Sequence, residues 1–90
     1  MGIDEILEQI VNICKYYKIQ EAILFGSWAK GTVNERSDID IAVRGVKDIE
    51  KFREDIEGIP TLRSFDIVDI ENCKNELLLK EIEQYGRKIL

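Results

Sequence analysis

The sequence contains no histidine, one proline and two cysteines among its 90 residues. Without histidine, the chain by itself cannot form a Ser-His-Asp or Cys-His catalytic arrangement, and zinc catalysis is excluded as well. Cys14 and Cys73 lack the spacing of a zinc or redox motif, so we interpret both as packing residues within predicted helices. Any chemistry of this chain must therefore depend on its acidic residues.

The sequence also lacks a long apolar run and an excess of basic residues. No apolar stretch reaches the length of a membrane span, and the N-terminus lacks the basic and apolar parts of a signal peptide. We therefore expect a cytoplasmic protein with no membrane contact. The formal net charge of −5 argues against a broad basic surface, so direct binding of DNA or RNA is not expected.

Chain length and composition predict one small folded domain over residues 1–90, with no room for a second substrate domain. The sequence is 44% hydrophobic and 34% charged, as in folded soluble proteins. A domain of this size buries about 60% of its unfolded surface, so contacts with a partner or self-association would help to stabilise it.

Hydrophobic periodicity predicts the order of helices and strands. Amphipathic helices are expected over residues 3–17, 48–57 and 73–85, the second capped by Asp48 and the third by Asn72. Strands are expected over residues 22–25, 38–43 and 62–70, and the unbroken apolar run of the first suits a central position. A short helical turn is expected at Trp28 and Ala29. This order predicts an α/β (α+β) fold, a small sheet of about three strands backed by helices.

Asp38 and Asp40 are two apart in the second predicted strand and therefore project from the same face. Solvent-facing polar positions are one explanation for such alternation. Two aspartates in one strand are unusual, however, because aspartate disfavours strands and the two charges repel. Hard divalent cations such as Mg²⁺ bind oxygen ligands of this kind, so we favour a metal site.

Gly26 and Ser27 form the turn after the first strand. Gly26 allows the backbone to bend sharply and to approach a ligand, and Ser27 offers a hydroxyl and an N–H at the start of a helical turn, where anions are favoured. Taken alone, the pair is better explained as an ordinary turn with Ser27 as the helix cap. Beside two carboxylates, it predicts a site for a nucleoside triphosphate with Mg²⁺.

Gly26-Ser27, ten intervening residues and Asp38-Ile39-Asp40 resemble the G-S-x10-D-x-D signature of the DNA polymerase beta-like nucleotidyltransferase superfamily. The small size makes the chain similar to the minimal nucleotidyltransferase family, the antitoxins of paired HEPN and nucleotidyltransferase systems. The similarity extends to residues 65–69, Phe-Asp-Ile-Val-Asp, where the family has its third carboxylate. One departure is Trp28, which stands where family members often have arginine.

The resemblance implies a nucleotidyltransferase fold with a mixed sheet, and it implies roles for particular residues. Asp66 and Asp69 point to opposite faces of their strand, and the resemblance selects Asp66 for the site. Asp38, Asp40 and Asp66 would hold two Mg²⁺ ions, and Gly26 and Ser27 the terminal phosphates of ATP. The implied reaction is transfer of AMP from ATP to a hydroxyl of a partner, a HEPN-domain RNase toxin encoded nearby.

Three alternatives remain open at the level of sequence. The chain could act on a small molecule such as an aminoglycoside, with a second subunit completing the pocket. It could be a protein-binding antitoxin module that keeps the metal site as a remnant. A bare structural domain is the least favoured, because the adjacent carboxylates would then be an unexplained destabilising feature.

Overall fold

The computed structural model describes residues 2–26 and 38–90, which form three helices and four strands. Ser27 and the short helical turn predicted at Trp28 and Ala29 lie outside these residues. The elements in chain order are α1 (Ile3–Tyr16), β1 (Glu21–Phe25), β2 (Ile39–Arg44), α2 (Ile49–Glu57), β3 (Phe65–Asp69), a 3₁₀ turn (Ile70–Asn72), α3 (Glu76–Tyr85) and β4 (Arg87–Lys88).

The four strands form one mixed sheet in the order β3-β2-β1-β4. β1 pairs antiparallel with both β2 and β4, whereas β2 and β3 run parallel. The central position predicted for β1 is confirmed. The prediction of about three strands omitted β4, which is only two residues long and carries the exposed side chains of Arg87 and Lys88.

Helices cover both faces of the sheet, because apolar side chains project from both faces of its strands. On one face, α1 and α2 bury Ile6, Ile10, Phe52 and Ile56 against the side chains of Ile39, Ile41 and Val43. On the other face, Ile82 of α3 is buried with Phe25 and Ala42. Burying an aliphatic or aromatic side chain contributes roughly 1.5–3 kcal/mol, so this division fixes which face each strand residue occupies. The α3 face is the one to which Asp40 points.

The helix boundaries agree with the sequence at α2 and differ at α3. Asp48 caps α2, accepting a hydrogen bond from the Lys51 N–H at 3.1 Å. The prediction that Asn72 caps the last helix was wrong, because Asn75 does so, with its side chain accepting from the Leu78 N–H. Asp69 accepts hydrogen bonds from the Glu71 N–H and the Asn72 amide and so stabilises the 3₁₀ turn that precedes the helix.

The two cysteines occupy different environments. Cys14 is fully buried in α1, and burial raises the pKa of its thiol to about 11, which suits an inert packing residue. Cys73 is half-buried at the end of the 3₁₀ turn and not within a helix as predicted. Within the described ranges, no helix has the length and apolar character needed to cross a membrane.

Candidate active site

The acidic side chains lie at one end of the sheet, where β1 ends and β2 and β3 begin. Asp40 lies opposite Phe25 of β1 on one side and opposite Asp66 of β3 on the other. Because β2 and β3 are parallel and in this register, Asp40 and Asp66 point to the same face. Asp38 precedes β2 by one residue and is exposed, as is Asp66. The three aspartates predicted for the site thus lie at the same end of the sheet, with Asp40 and Asp66 directly opposite each other.

Gly26 is fitted closely to Asp40. Its φ is +72°, in the left-handed region that favours glycine, and a Cβ atom at this position would lie 2.2 Å from the Oδ2 atom of Asp40. Any other side chain at position 26 would therefore displace the Asp40 carboxylate. The close approach of Gly26 to the Asp40 carboxylate explains why a glycine is required at the end of β1.

Asp40 is held where a negative charge is unfavourable. Burial raises the pKa of its carboxyl group from 3.8 to about 6, with further contributions from the negative charges of Asp66, Asp38 and Glu81. The salt bridges of Glu21 with Arg44 and Lys88 lie at the opposite end of β1 and do not offset this charge. A cation bound at this end of the sheet would relieve the repulsion.

Asp69 and Ala42 show how the pleat of each strand determines which residues reach the site. Asp69 lies three residues after Asp66, on the opposite face at the end of β3, and caps the 3₁₀ turn. Ala42 shares the face of Asp40 but is buried beneath α3. Space beside Asp40 is therefore limited on the Ala42 side.

Comparison with known proteins identifies the family. The family model described as "Polymerase beta, Nucleotidyltransferase" matches residues 8–90. The chain belongs to this family. A relative from Methanocaldococcus jannaschii is named as a candidate protein adenylyltransferase. It is 35% identical to this chain, and the similarity covers 91% of this chain and 89% of the relative. The resemblance inferred from the Gly-Ser turn and the spaced aspartates is confirmed.

Solved structures share the nucleotidyltransferase fold. A toxin–antitoxin structure with AMP-PNP has a TM-score of 0.78 and 24% identity, covering 93% of this chain and 72% of that one. An MntA–HpeT toxin–antitoxin variant, with two aspartates at alternate positions replaced by glutamate, has a TM-score of 0.76 and 22% identity over the same shares. These matches confirm the predicted fold class.

The nucleotidyltransferase family implies Mg²⁺, and the donor chemistry of the site fits this ion, because three carboxylates supply hard oxygen ligands at one end of the sheet. Across residues 2–26 and 38–90, no three acidic or thiol side chains already converge as a metal-binding group. Joint coordination therefore requires the exposed side chains of Asp38 and Asp66 to rotate toward Asp40.

One residue near the site was not found by sequence reasoning. Glu81 of α3 is half-buried, and its charge acts on Asp40 from above the sheet. In the sequence, Glu81 is one of several acidic residues on an amphipathic helix, with no motif around it. Only its position three residues after Leu78, which packs against the sheet, indicates that it faces inward.

Asp40→Asn should stabilise the metal-free nucleotidyltransferase near neutral pH. Because the folded-state pKa of Asp40 is raised from 3.8 to about 6, the folded state binds the proton more tightly, and stability falls as pH rises through this interval. Solvent screening of a half-exposed group reduces the effect to about 1 kcal/mol. Urea unfolding in EDTA should show the variant more stable at pH 7.5, with the difference vanishing below about pH 4. An equal difference at both pH values would contradict this cause.

Proposed function

We propose that this nucleotidyltransferase transfers AMP from ATP to a hydroxyl group of a partner protein, with Mg²⁺ bound at Asp38, Asp40 and Asp66. The observation that carries the proposal is the parallel register of Asp40 with Asp66, beside a Gly26 turn that excludes any larger residue. This arrangement concentrates negative charge next to the turn that we assign to phosphate, and a bound cation would relieve the repulsion among the carboxylates.

Each residue has a distinct role in the proposed reaction. Bound Mg²⁺ supplies positive charge that neutralises the triphosphate and lowers the pKa of the acceptor hydroxyl. Asp38, Asp40 and Asp66 provide the oxygen ligands, and Gly26 and Ser27 hold the terminal phosphates. The acceptor oxygen forms a bond to the α-phosphorus, the bond from the α-phosphorus to the bridging oxygen breaks, pyrophosphate leaves and the hydroxyl proton passes to solvent.

The relatives support a protein acceptor. The Methanocaldococcus jannaschii relative is named for protein adenylyltransferase activity, and the structural neighbours are toxin–antitoxin complexes, one of them with AMP-PNP. The two substituted aspartates of the MntA–HpeT variant have the same spacing as Asp38 and Asp40. These relatives support a toxin as the partner. That the toxin is a HEPN-domain RNase, is encoded near this chain and is neutralised by the modification is the part of the proposal that the resemblance to the minimal nucleotidyltransferase family implies.

The proposal is tested by intact-mass spectrometry of the toxin encoded by the neighbouring gene, after incubation with this protein, ATP and Mg²⁺. We expect a mass increase of one or more AMP groups on the toxin. Replacing ATP with α,β-methylene-ATP should prevent the increase, because its bridging group cannot leave from the α-phosphorus.

Two matched variants separate catalysis from binding in this experiment. Asp66→Asn should abolish the mass increase, whereas Asp69→Asn, with the same charge change on the opposite face of β3, should retain it. Asp69 caps the 3₁₀ turn, so its variant is assayed at a temperature where it remains folded. An inhibitory complex without a mass change, formed equally by wild type and Asp66→Asn, would show instead that the chain is a protein-binding antitoxin.

A further inference from the structure

The position of α3 over the sheet places one more acidic side chain beside the site. Ile82 is buried against Phe25 and Ala42. Phe25 is paired with Asp40 across β1 and β2, and Ala42 lies two residues after Asp40 on the same face of β2. Leu78 packs against the same cluster one turn earlier. The side of α3 that carries these residues therefore lies over the end of β1 and β2 where Asp40 is located.

Glu81 lies on this side of α3. It follows Leu78 by three residues, a spacing that puts two side chains on neighbouring parts of one helix face, and it directly precedes Ile82. Glu81 is half-buried, whereas Glu83, two residues further on, is exposed and lines the outer surface with Lys80 and Gln84. The two glutamates of one helix thus differ in their position relative to the site.

We propose that Glu81 is a positioning residue of the cation site: from α3 it adds a fourth negative charge beside Asp40 and thereby raises the affinity of the site for a divalent cation. This inference rests on the proposed function, because it concerns the same carboxylates. If it is correct, α3 contributes to metal binding in addition to the aspartates of the strands.

The physical basis is the low polarity of the surroundings. Ile82, Phe25 and Ala42 exclude water from one side of Asp40, so a charge on the same side is screened less than it would be in solvent. Glu81 directly precedes Ile82 and is half-buried on the side of α3 that packs over Phe25 and Ala42, so its charge lies on this poorly screened side of Asp40. The same field that disfavours a second anion favours a cation, and it acts on a double positive charge with twice the strength.

The test is a titration of the nucleotide-free protein with Mn²⁺, in which binding is measured as the loss of the electron paramagnetic resonance signal of the free ion. Glu81→Gln, which keeps the shape of the side chain, should weaken Mn²⁺ binding about 3- to 10-fold at low salt. The control is Glu83→Gln, with the same charge change on the exposed side of α3, and its Mn²⁺ affinity should stay within about 1.5-fold of wild type. Glu81→Asp should retain most of the affinity because it keeps the charge. The difference between wild type and Glu81→Gln should shrink as ionic strength rises.

The outcomes separate this inference from the proposed function. If wild type binds Mn²⁺ and Glu81→Gln binds it equally well, or if the two glutamine variants lose the same affinity, the role of Glu81 is overturned while the three aspartates keep theirs. If wild type binds no Mn²⁺, both proposals fail. If Glu81→Asp loses as much affinity as Glu81→Gln, side-chain length matters more than charge, and the electrostatic role is also overturned.

Discussion

Replacing Asp38 and Asp40 together with asparagine should abolish Mg²⁺-dependent ATP binding and lower AMP transfer by about 1,000-fold or more. Asp40 lies opposite Asp66 in the register of β2 and β3, and Asp38 lies two residues before Asp40, just ahead of β2. An amide supplies neither the charge nor the ligand strength of a carboxylate. A bound metal ion contributes several kcal/mol of charge stabilisation to phosphoryl transfer, and about 4 kcal/mol corresponds to this factor.

The measurement is calorimetric titration with ATP in the presence of Mg²⁺, together with the mass assay on the toxin. A suitable control combines Asp4→Asn with Glu5→Gln, which removes two negative charges from the exposed first turn of α1. The control should keep both activities. Undiminished Mg·ATP binding by the Asp38→Asn, Asp40→Asn variant would refute the assignment of these residues as metal ligands, whatever the result of the transfer assay.

The strand faces could be predicted from the sequence because side chains alternate with a period of two. Ile39 and Ile41 face the core formed with α1 and α2, which leaves Asp38 and Asp40 on the opposite face. The same rule separated Asp66 from Asp69. These predictions depend on the hydrophobic pattern within a single strand, and burial of one face makes that pattern decisive.

Relations between separate elements could not be predicted in this way. The register that sets Asp40 opposite Asp66 depends on how two strands pair, and the nearness of Glu81 to Asp40 depends on where α3 crosses the sheet. Neither the strand pairing nor the position of α3 can be derived from the hydrophobic periodicity within one element. The cap of α3 could not be predicted either, because Asn72 and Asn75 are the same residue type. They differ in the hydrogen bonds they make: Asn72 donates to Asp69, whereas Asn75 accepts from the Leu78 N–H.

Gly26→Ala should lower Mg²⁺-dependent ATP binding and AMP transfer by about 100-fold while leaving the protein folded. Alanine in the left-handed conformation costs roughly 1–2 kcal/mol of stability. The added Cβ atom, at 2.2 Å from the Asp40 Oδ2 position, additionally forces the carboxylate to rotate or shift. Displacing a catalytic group by about 1 Å can lower a rate by about 100-fold, so the loss of activity should exceed what the loss of stability explains.

Gly45 offers a control for the backbone effect. Its φ of +85° is also in the left-handed region, and a Cβ atom there would lie 2.8 Å from the Cγ atom of Gln20, an exposed and flexible side chain at the far end of the sheet. Gly45→Ala should therefore lose a similar 1–2 kcal/mol of stability. Since Gly45 follows the end of β2 that is remote from Asp40, ATP binding by this variant should remain within about twofold of wild type.

Comparing the two variants distinguishes a steric role of Gly26 from a purely conformational one. Urea unfolding reports the stability of each, and calorimetry with Mg²⁺ and ATP reports the site. If Gly26→Ala and Gly45→Ala lose equal stability and both retain ATP binding, the close approach of Gly26 to Asp40 is not required for function. If Gly26→Ala alone loses binding, the result cannot come from the left-handed backbone, which both positions share. The glycine of the turn then serves the site by leaving space for the Asp40 carboxylate, which binds the metal beside the phosphates.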